Sequence, residues 1–176
     1  MEQLTYAEAK DRIEDGDILI FQLGESPTLL QRLIAFFSRD TEFHAAIALW
    51  MTEPDGARAP YCIQAGYTLR EMVPLLKESH NRIDVWKCPV PVEPMIRPLI
   101  DGVGKVWYGY KDFLALGIKY TFKLKVCEDF PGEICSEMVA KLLVAGGMDL
   151  RRTVISPSVL ATELENHGAV LKFRIN

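Results

Sequence analysis

Apolar positions along the chain recur at two periods, and the switches between them mark the elements. Ile18-Leu19-Ile20-Phe21 follows the turn signal Asp15-Gly16-Asp17 as a continuous apolar run, which predicts a buried strand. His44 to Trp50 predicts a second strand. Its period of two sets His44, Ala46 and Ala48 on one face and Ala45, Ile47 and Leu49 on the other. Glu53-Pro54-Asp55-Gly56 is a turn signal. Tyr61 to Ala65 then predicts a third strand, antiparallel to the second because the connection is hairpin-like, with Cys62 and Gln64 sharing one face. Arg82 to Lys87 alternates polar and apolar as a fourth strand, and Ala169 to Ile175 closes the chain as the last.

Helical spacing fills the intervals. Thr5-Tyr6-Ala7-Glu8 has the form of a capping box and predicts a short helix to about Glu14. Ser26-Pro27 has the form of an N-cap with proline at the first helical position, followed by the apolar stripe Leu29, Leu30, Leu33, Ile34 and Phe37. Val92 to Tyr108 is helical in pattern, with Pro94 and Pro98 near its start. A short segment, Asp112 to Leu116, leads to Gly117-Ile118-Lys119-Tyr120. Ile134, Met138, Val139, Leu142 and Leu143 recur at helical spacing after Pro131-Gly132 and before Gly146-Gly147. Ser156-Pro157 starts a last helix that runs to about Glu165. Strands and helices are interleaved without repeats, low complexity or a linker, so the expectation is one α+β domain over residues 1–176.

Composition narrows the function classes. At 176 residues, 49% hydrophobic and 25% charged, the chain can bury a core of its own. The net charge is −4 and no Lys/Arg cluster stands out, which argues against nucleic acid as a partner. No apolar run reaches the length that spans a bilayer, so no integral membrane segment is expected. The polar, acidic start Met-Glu-Gln-Leu-Thr-Tyr lacks the pattern of a secretory signal, and a cytoplasmic protein is expected. The four cysteines, Cys62, Cys88, Cys127 and Cys135, form no C-x-x-C pair. Neither a metal site nor a disulfide framework is expected, and no cofactor is implied.

Cys135 changes this picture by its position. In the first turn of a helix, unpaired backbone N–H groups and the positive dipole end stabilise a thiolate, and the same groups can hold an oxyanion. Against this, Glu133 and Glu137 are close in sequence and would raise the thiol pKa unless they turn away. A base is needed, and His44, at the start of an apolar strand, is better placed than His80 or His167, which fall in polar loop and turn segments. If the second and third strands pair, Gln64 can accept from one imidazole nitrogen and aim the other at the thiol. Cys62, on the Gln64 face, is a fallback nucleophile without a helix end to support it.

The runs Asp17-Ile18-Leu19-Ile20-Phe21, Phe43-His44-Ala45-Ala46-Ile47-Ala48-Leu49, Ile63-Gln64-Ala65, Gly117-Ile118-Lys119-Tyr120, Cys135-Ser136-Glu137-Met138-Val139 and Ser156-Pro157-Ser158 together resemble the circularly permuted NlpC-like hydrolases of the papain-like cysteine peptidase and amidase superfamily. In that branch histidine comes first, the polar third residue next and cysteine last. The resemblance implies a small antiparallel sheet or half-barrel packed against a nucleophile-bearing helix. It implies Cys135 as nucleophile, His44 as base, Gln64 at the third position and Tyr120 in the substrate pocket. Two positions depart from it: the third residue is commonly Glu, and Asp commonly stands where this chain has Thr121. The implied activity is hydrolysis of an amide, peptide or isopeptide-like with cell-wall-derived bonds among the candidates, through a thioester, with a small peptide-like or acyl substrate. The rival expectations are a thiol-dependent acyltransferase or esterase acting on lipid or acyl groups, and an inactive binding module.

Overall fold

One seven-stranded sheet organises the computed structural model, which describes residues 1–24, 27, 29, 31, 32, 35, 41–66, 68–109, 134–153 and 155–176. Its strands are β1 (Gln3–Leu4), β2 (Ile18–Gln22), β3 (Glu42–Thr52), β4 (Arg58–Ala65), β5 (Arg70–Pro74), β6 (Arg82–Trp86) and β7 (Leu171–Ile175). Their spatial order is β1-β7-β6-β2-β3-β4-β5. β1 runs parallel to β7, and the other described pairings are antiparallel. Helices bounded within the described residues include α1 (Tyr6–Ala9), α2 (Leu75–Glu78), α3 (Glu93–Asp101), α4 (Cys135–Ala145) and α5 (Pro157–Asn166).

The apolar run of β2 lies between β3 and β6 with all five residues buried, as a strand covered on both faces must be. One face of the sheet, with Ile18, Ile20, Ala45, Ile47 and Ile63, packs against Met138, Val139, Leu142 and Leu143 of α4 and Leu160 and Leu164 of α5. Fully burying side chains such as Met138 and Leu143 contributes about 1.5–3 kcal/mol each. The other face, with Leu19, Phe21, Ala46, Ala48 and Cys62, gathers Ala9, Ile13, Leu75 and Phe173. The sheet therefore carries a core on each side, and α4 is the main cover of one of them.

Several expectations change at this level. The sheet is larger than the small sheet or half-barrel expected. Two strands were hidden from the sequence pattern: β1 is two residues long, and β5 opens with Arg70-Glu71 and ends in Pro74. The expected helix from Val92 to Tyr108 is confined to Glu93–Asp101, because Gly102 and Gly104, the latter at φ 70°, turn the chain. The first helix shortens to Tyr6–Ala9 followed by a single 3₁₀ turn to Arg12, with the Glu8 carboxylate accepting the Thr5 N–H at 2.8 Å. Ser26, most of the apolar stripe after it, and the segments Asp112–Leu116 and Gly117–Tyr120 lie outside the described residues.

Candidate active site

The thiol and the imidazole come from opposite layers of the fold. Cys135 is the first helical residue of α4, after Ile134 in extended conformation at φ −90° and ψ 162°. Proline at 131 and glycine at 132 lie outside the described residues, but the N-terminal end of the helix falls where the apolar spacing placed it. The small side chain of Ala45 faces α4, so the helix start comes close enough to β3 for the Ala45 N–H to donate to the Cys135 sulfur. The Ser136 N–H donates to the same sulfur. Both bonds favour the thiolate, as a helix N-terminus should.

His44 is positioned by an irregularity in the sheet. Phe21 pairs with His44 but Gln22 pairs with Glu42, so Phe43 is an extra residue in β3, a bulge. The bulge sets Phe43 in the same core as Phe21. The imidazole lies against both rings, 5.1 Å from Phe21 and 6.3 Å from Phe43 between centroids. Its Nε2 lies 2.7 Å from Gln64 Oε1, and the ring also hydrogen-bonds the Cys135 side chain. A carboxamide oxygen only accepts, so Nε2 carries a hydrogen and Nδ1 is left for the sulfur.

The electrostatics of the pair are reciprocal. Burial alone would depress the His44 pKa. The charge of Cys135, hydrogen bonds to Cys135 and Gln64 and a contribution from Glu78 outweigh it, and the net shift is upward. Burial would likewise raise the Cys135 pKa, and the imidazolium, its hydrogen bond and the two backbone N–H groups bring it below the ordinary thiol value. Each group therefore favours the charged form of the other.

The glutamate problem resolves in part. Glu137 is buried, but its carboxylate accepts the Ile134 N–H at 3.4 Å and lies 2.7 Å from Lys141 Nζ, so its charge is neutralised within the helix. Glu133 lies outside the described residues, as do Tyr120, Thr121 and Cys127. Cys62 is corrected as a fallback nucleophile. Burial, with smaller contributions from Glu78 and Glu71, pushes its thiol up to about 12. It stays protonated, 3.5 Å from the Val73 carbonyl and 3.8 Å from Gln64 Oε1.

Glu71 and Glu78 are the residues that the sequence pattern did not bring out. Gln64 and Glu71 are direct register partners on β4 and β5, and Gln64 Nε2 donates to Glu71 Oε1 at 2.9 Å. A reading that recognised β5 as the return strand of a hairpin after Gly66 would have paired them.

Comparison with known proteins bears on the fold. No family model matches the chain, and no curated protein matches it. Among solved structures it is similar to metalloprotein YiiX from Escherichia coli O157:H7, a DUF1105 protein, at TM-score 0.52 and 16% identity over 93% of this chain and 88% of that one. At that identity the likeness is one of fold, a YiiX-like mixed α+β architecture. The NlpC-like family assignment is thereby corrected: the solved structure named above is a DUF1105 protein, and no family model supports NlpC. The physical reason is that each matching run is a short strand or helix start built of common residue types, which many α+β chains share. YiiX is described as a metalloprotein. Among the described residues of this chain there is no group of three or more His, Cys, Asp or Glu that could hold a metal ion.

Proposed function

We propose that the protein is a cysteine hydrolase that cleaves an amide bond, peptide or isopeptide-like, through a thioester. The observation that carries the reading is the hydrogen-bonded pair of Cys135 and His44, in which each group shifts the other toward its charged form. Perturbed titrating groups in such mutual contact are a mark of nucleophile activation. The proposal extends to the fold: a helix-borne thiol meeting a sheet-borne imidazole is the papain-like arrangement.

The reaction runs as follows. The Cys135 proton resides on His44, and the thiolate attacks the amide carbonyl carbon. The carbonyl oxygen takes up the negative charge, which N–H groups at the start of α4 stabilise. His44 gives its proton to the leaving nitrogen as the C–N bond breaks, and an acyl thioester remains on Cys135. His44 then removes a proton from water, the hydroxide adds to the thioester carbonyl, and the adduct breaks its C–S bond to restore the Cys135 thiolate beside protonated His44, releasing a carboxylic acid that gives its proton to solvent. Gln64 holds the imidazole with Nδ1 toward the sulfur throughout, and the general-base step is worth about 10²–10⁴-fold.

The test is a substrate panel of murein-type peptides, isopeptides, acyl esters and phospholipids, run with the wild type, Cys135→Ala and His44→Ala. Amide turnover that vanishes in both variants while circular dichroism is unchanged supports the proposal. Full turnover by Cys135→Ala on the same substrate sinks it, and turnover confined to esters or lipids moves the activity to the acyl class.

A further inference from the structure

From the hydrogen bonds across β3, β4 and β5 we infer that Glu71 is a positioning residue, which fixes the orientation of the Gln64 carboxamide and through it the proton of His44. The inference rests on the thiol–imidazole reading of Cys135 and His44 and extends it by one residue, on the sheet edge.

The two ends of a carboxamide are nearly equal in size, so packing alone does not decide which end faces the imidazole. The hydrogen-bond partners decide it. In the observed orientation Gln64 Oε1 faces His44 Nε2 at 2.7 Å and the Cys62 thiol at 3.8 Å, while Gln64 Nε2 donates to Glu71 Oε1 at 2.9 Å. Turning the amide over would set its oxygen against the Glu71 carboxylate, acceptor on acceptor. It would also point an N–H at His44 Nε2. The ring could receive that N–H only by moving its hydrogen to Nδ1, the nitrogen left for the sulfur, and an Nδ1–H cannot take the Cys135 proton. The orientation of one amide therefore separates a competent base from an incompetent one.

The site is shaped for this carboxylate. A Cβ on Gly66 would stand 2.5 Å from Glu71 Cδ and 2.7 Å from its Oε1, so the missing side chain at 66 is the space the carboxylate fills. Register does the rest. Ala46 pairs with Gln64, and Gln64 pairs with Glu71, so His44, Gln64 and Glu71 project from one face on three successive strands. Gln64 is buried while Glu71 is exposed, so the chain of hydrogen bonds leads from the sulfur out to solvent.

The experiment reads the histidine proton directly. Protein labelled with ¹⁵N-histidine is prepared as Cys135→Ala, Cys135→Ala/Glu71→Ala and Cys135→Ala/Glu71→Gln, and the His44 ring nitrogens are observed by NMR at about pH 8.5, where an unpaired imidazole is neutral. The expected result is an Nε2–H tautomer in the first, a mixture of tautomers in the second, and recovery of Nε2–H in the third, because a glutamine oxygen at 71 can still accept from Gln64. In the enzyme with Cys135 intact, Glu71→Ala is expected to lower kcat about 2- to 10-fold, the worth of one net hydrogen bond, and Glu71→Gln less. An unchanged Nε2–H tautomer in the Glu71→Ala protein overturns the inference. So does a Glu71→Gln protein as mixed as Glu71→Ala, which would show that charge and not orientation is what Glu71 supplies. The tautomer measurement requires no turnover, so a chain that cleaved no amide would leave this test intact, and a failed tautomer test would leave the Cys135–His44 pair as it stands.

Discussion

The sulfur of Cys135 accepts the backbone N–H of Ala45, the residue that follows His44 in β3. One stretch of strand therefore donates to the thiol from its backbone and hydrogen-bonds it by its side chain. The thiol keeps part of its stabilisation even without the imidazole, from Ala45 and Ser136.

That division predicts the reactivity of the cysteines. Iodoacetamide should modify Cys135 in the native protein well below the ordinary thiol pKa of about 8.5, while Cys62, with its thiol pushed up to about 12, stays unmodified. His44→Ala should move the Cys135 profile upward by at least about one pH unit, the differential worth of a charged partner. Peptide mapping of the alkylated protein as a function of pH measures both. Modification of Cys62 before Cys135 would contradict it.

The pH dependence of turnover follows from the signs of the two shifts. Cys135 lies below its ordinary value, so thiolate accumulates as pH rises through a depressed pKa and the acid limb is displaced to lower pH. His44 lies above its ordinary value, so the imidazolium that protonates the leaving group persists to higher pH and the alkaline limb is displaced upward. A bell-shaped kcat/KM profile with a broad plateau is expected. Glu78 acts on His44 with the same upward sign, so Glu78→Gln should bring the alkaline limb down without moving the acid limb comparably.

The relation between Gln64 and Glu71 predicts an unusual result for a substitution that looks favourable. Gln64→Glu would give the imidazole a charged partner, but would also set a second carboxylate against Glu71 across a 2.9 Å contact. One of the two would hold a proton at neutral pH. The single variant is therefore expected to fall below wild-type kcat, and the exchange Gln64→Glu/Glu71→Gln to recover at least about tenfold relative to it, one pKa unit of relieved repulsion. A double-mutant cycle on kcat/KM checks the coupling.

Stability should respond at the start of α4 as well. The Ser136 hydroxyl is buried and donates to the Ile155 carbonyl, joining α4 to the segment before α5. Ser136→Ala leaves that carbonyl without its partner and should cost about 1–3 kcal/mol in urea unfolding. Met138→Ala, two residues on, removes a fully buried side chain and should cost about 2–5 kcal/mol.

What the sequence disclosed and what it hid have physical reasons. The β2 run, the β3–β4 hairpin and the starts of α4 and α5 were legible because a two-sided apolar strand, a turn tetrapeptide and helical spacing are local signals. Cys135, His44 and Gln64 followed from position, and the structure brings them together. Tyr120 lies outside the described residues. β5 was not legible, because an edge strand that begins Arg70-Glu71 and ends in Pro74 has little alternation to show. With it went Glu71, whose part depends on a register that only the folded sheet sets. The bulge at Phe43, which brings that ring against His44, is likewise a property of pairing and not of composition.

Gly66 gives the arrangement a point of vulnerability outside all four of its members. A methyl group there would meet the flexible end of the Glu71 side chain, which can swing into solvent, so folding would be little affected while the carboxylate left its place. A survey of variants that scores abundance alone would pass Gly66→Ala as harmless. On the proposed activity, the same survey scored by turnover should find it, at a position with no charge and no hydrogen-bonding side chain to suggest why.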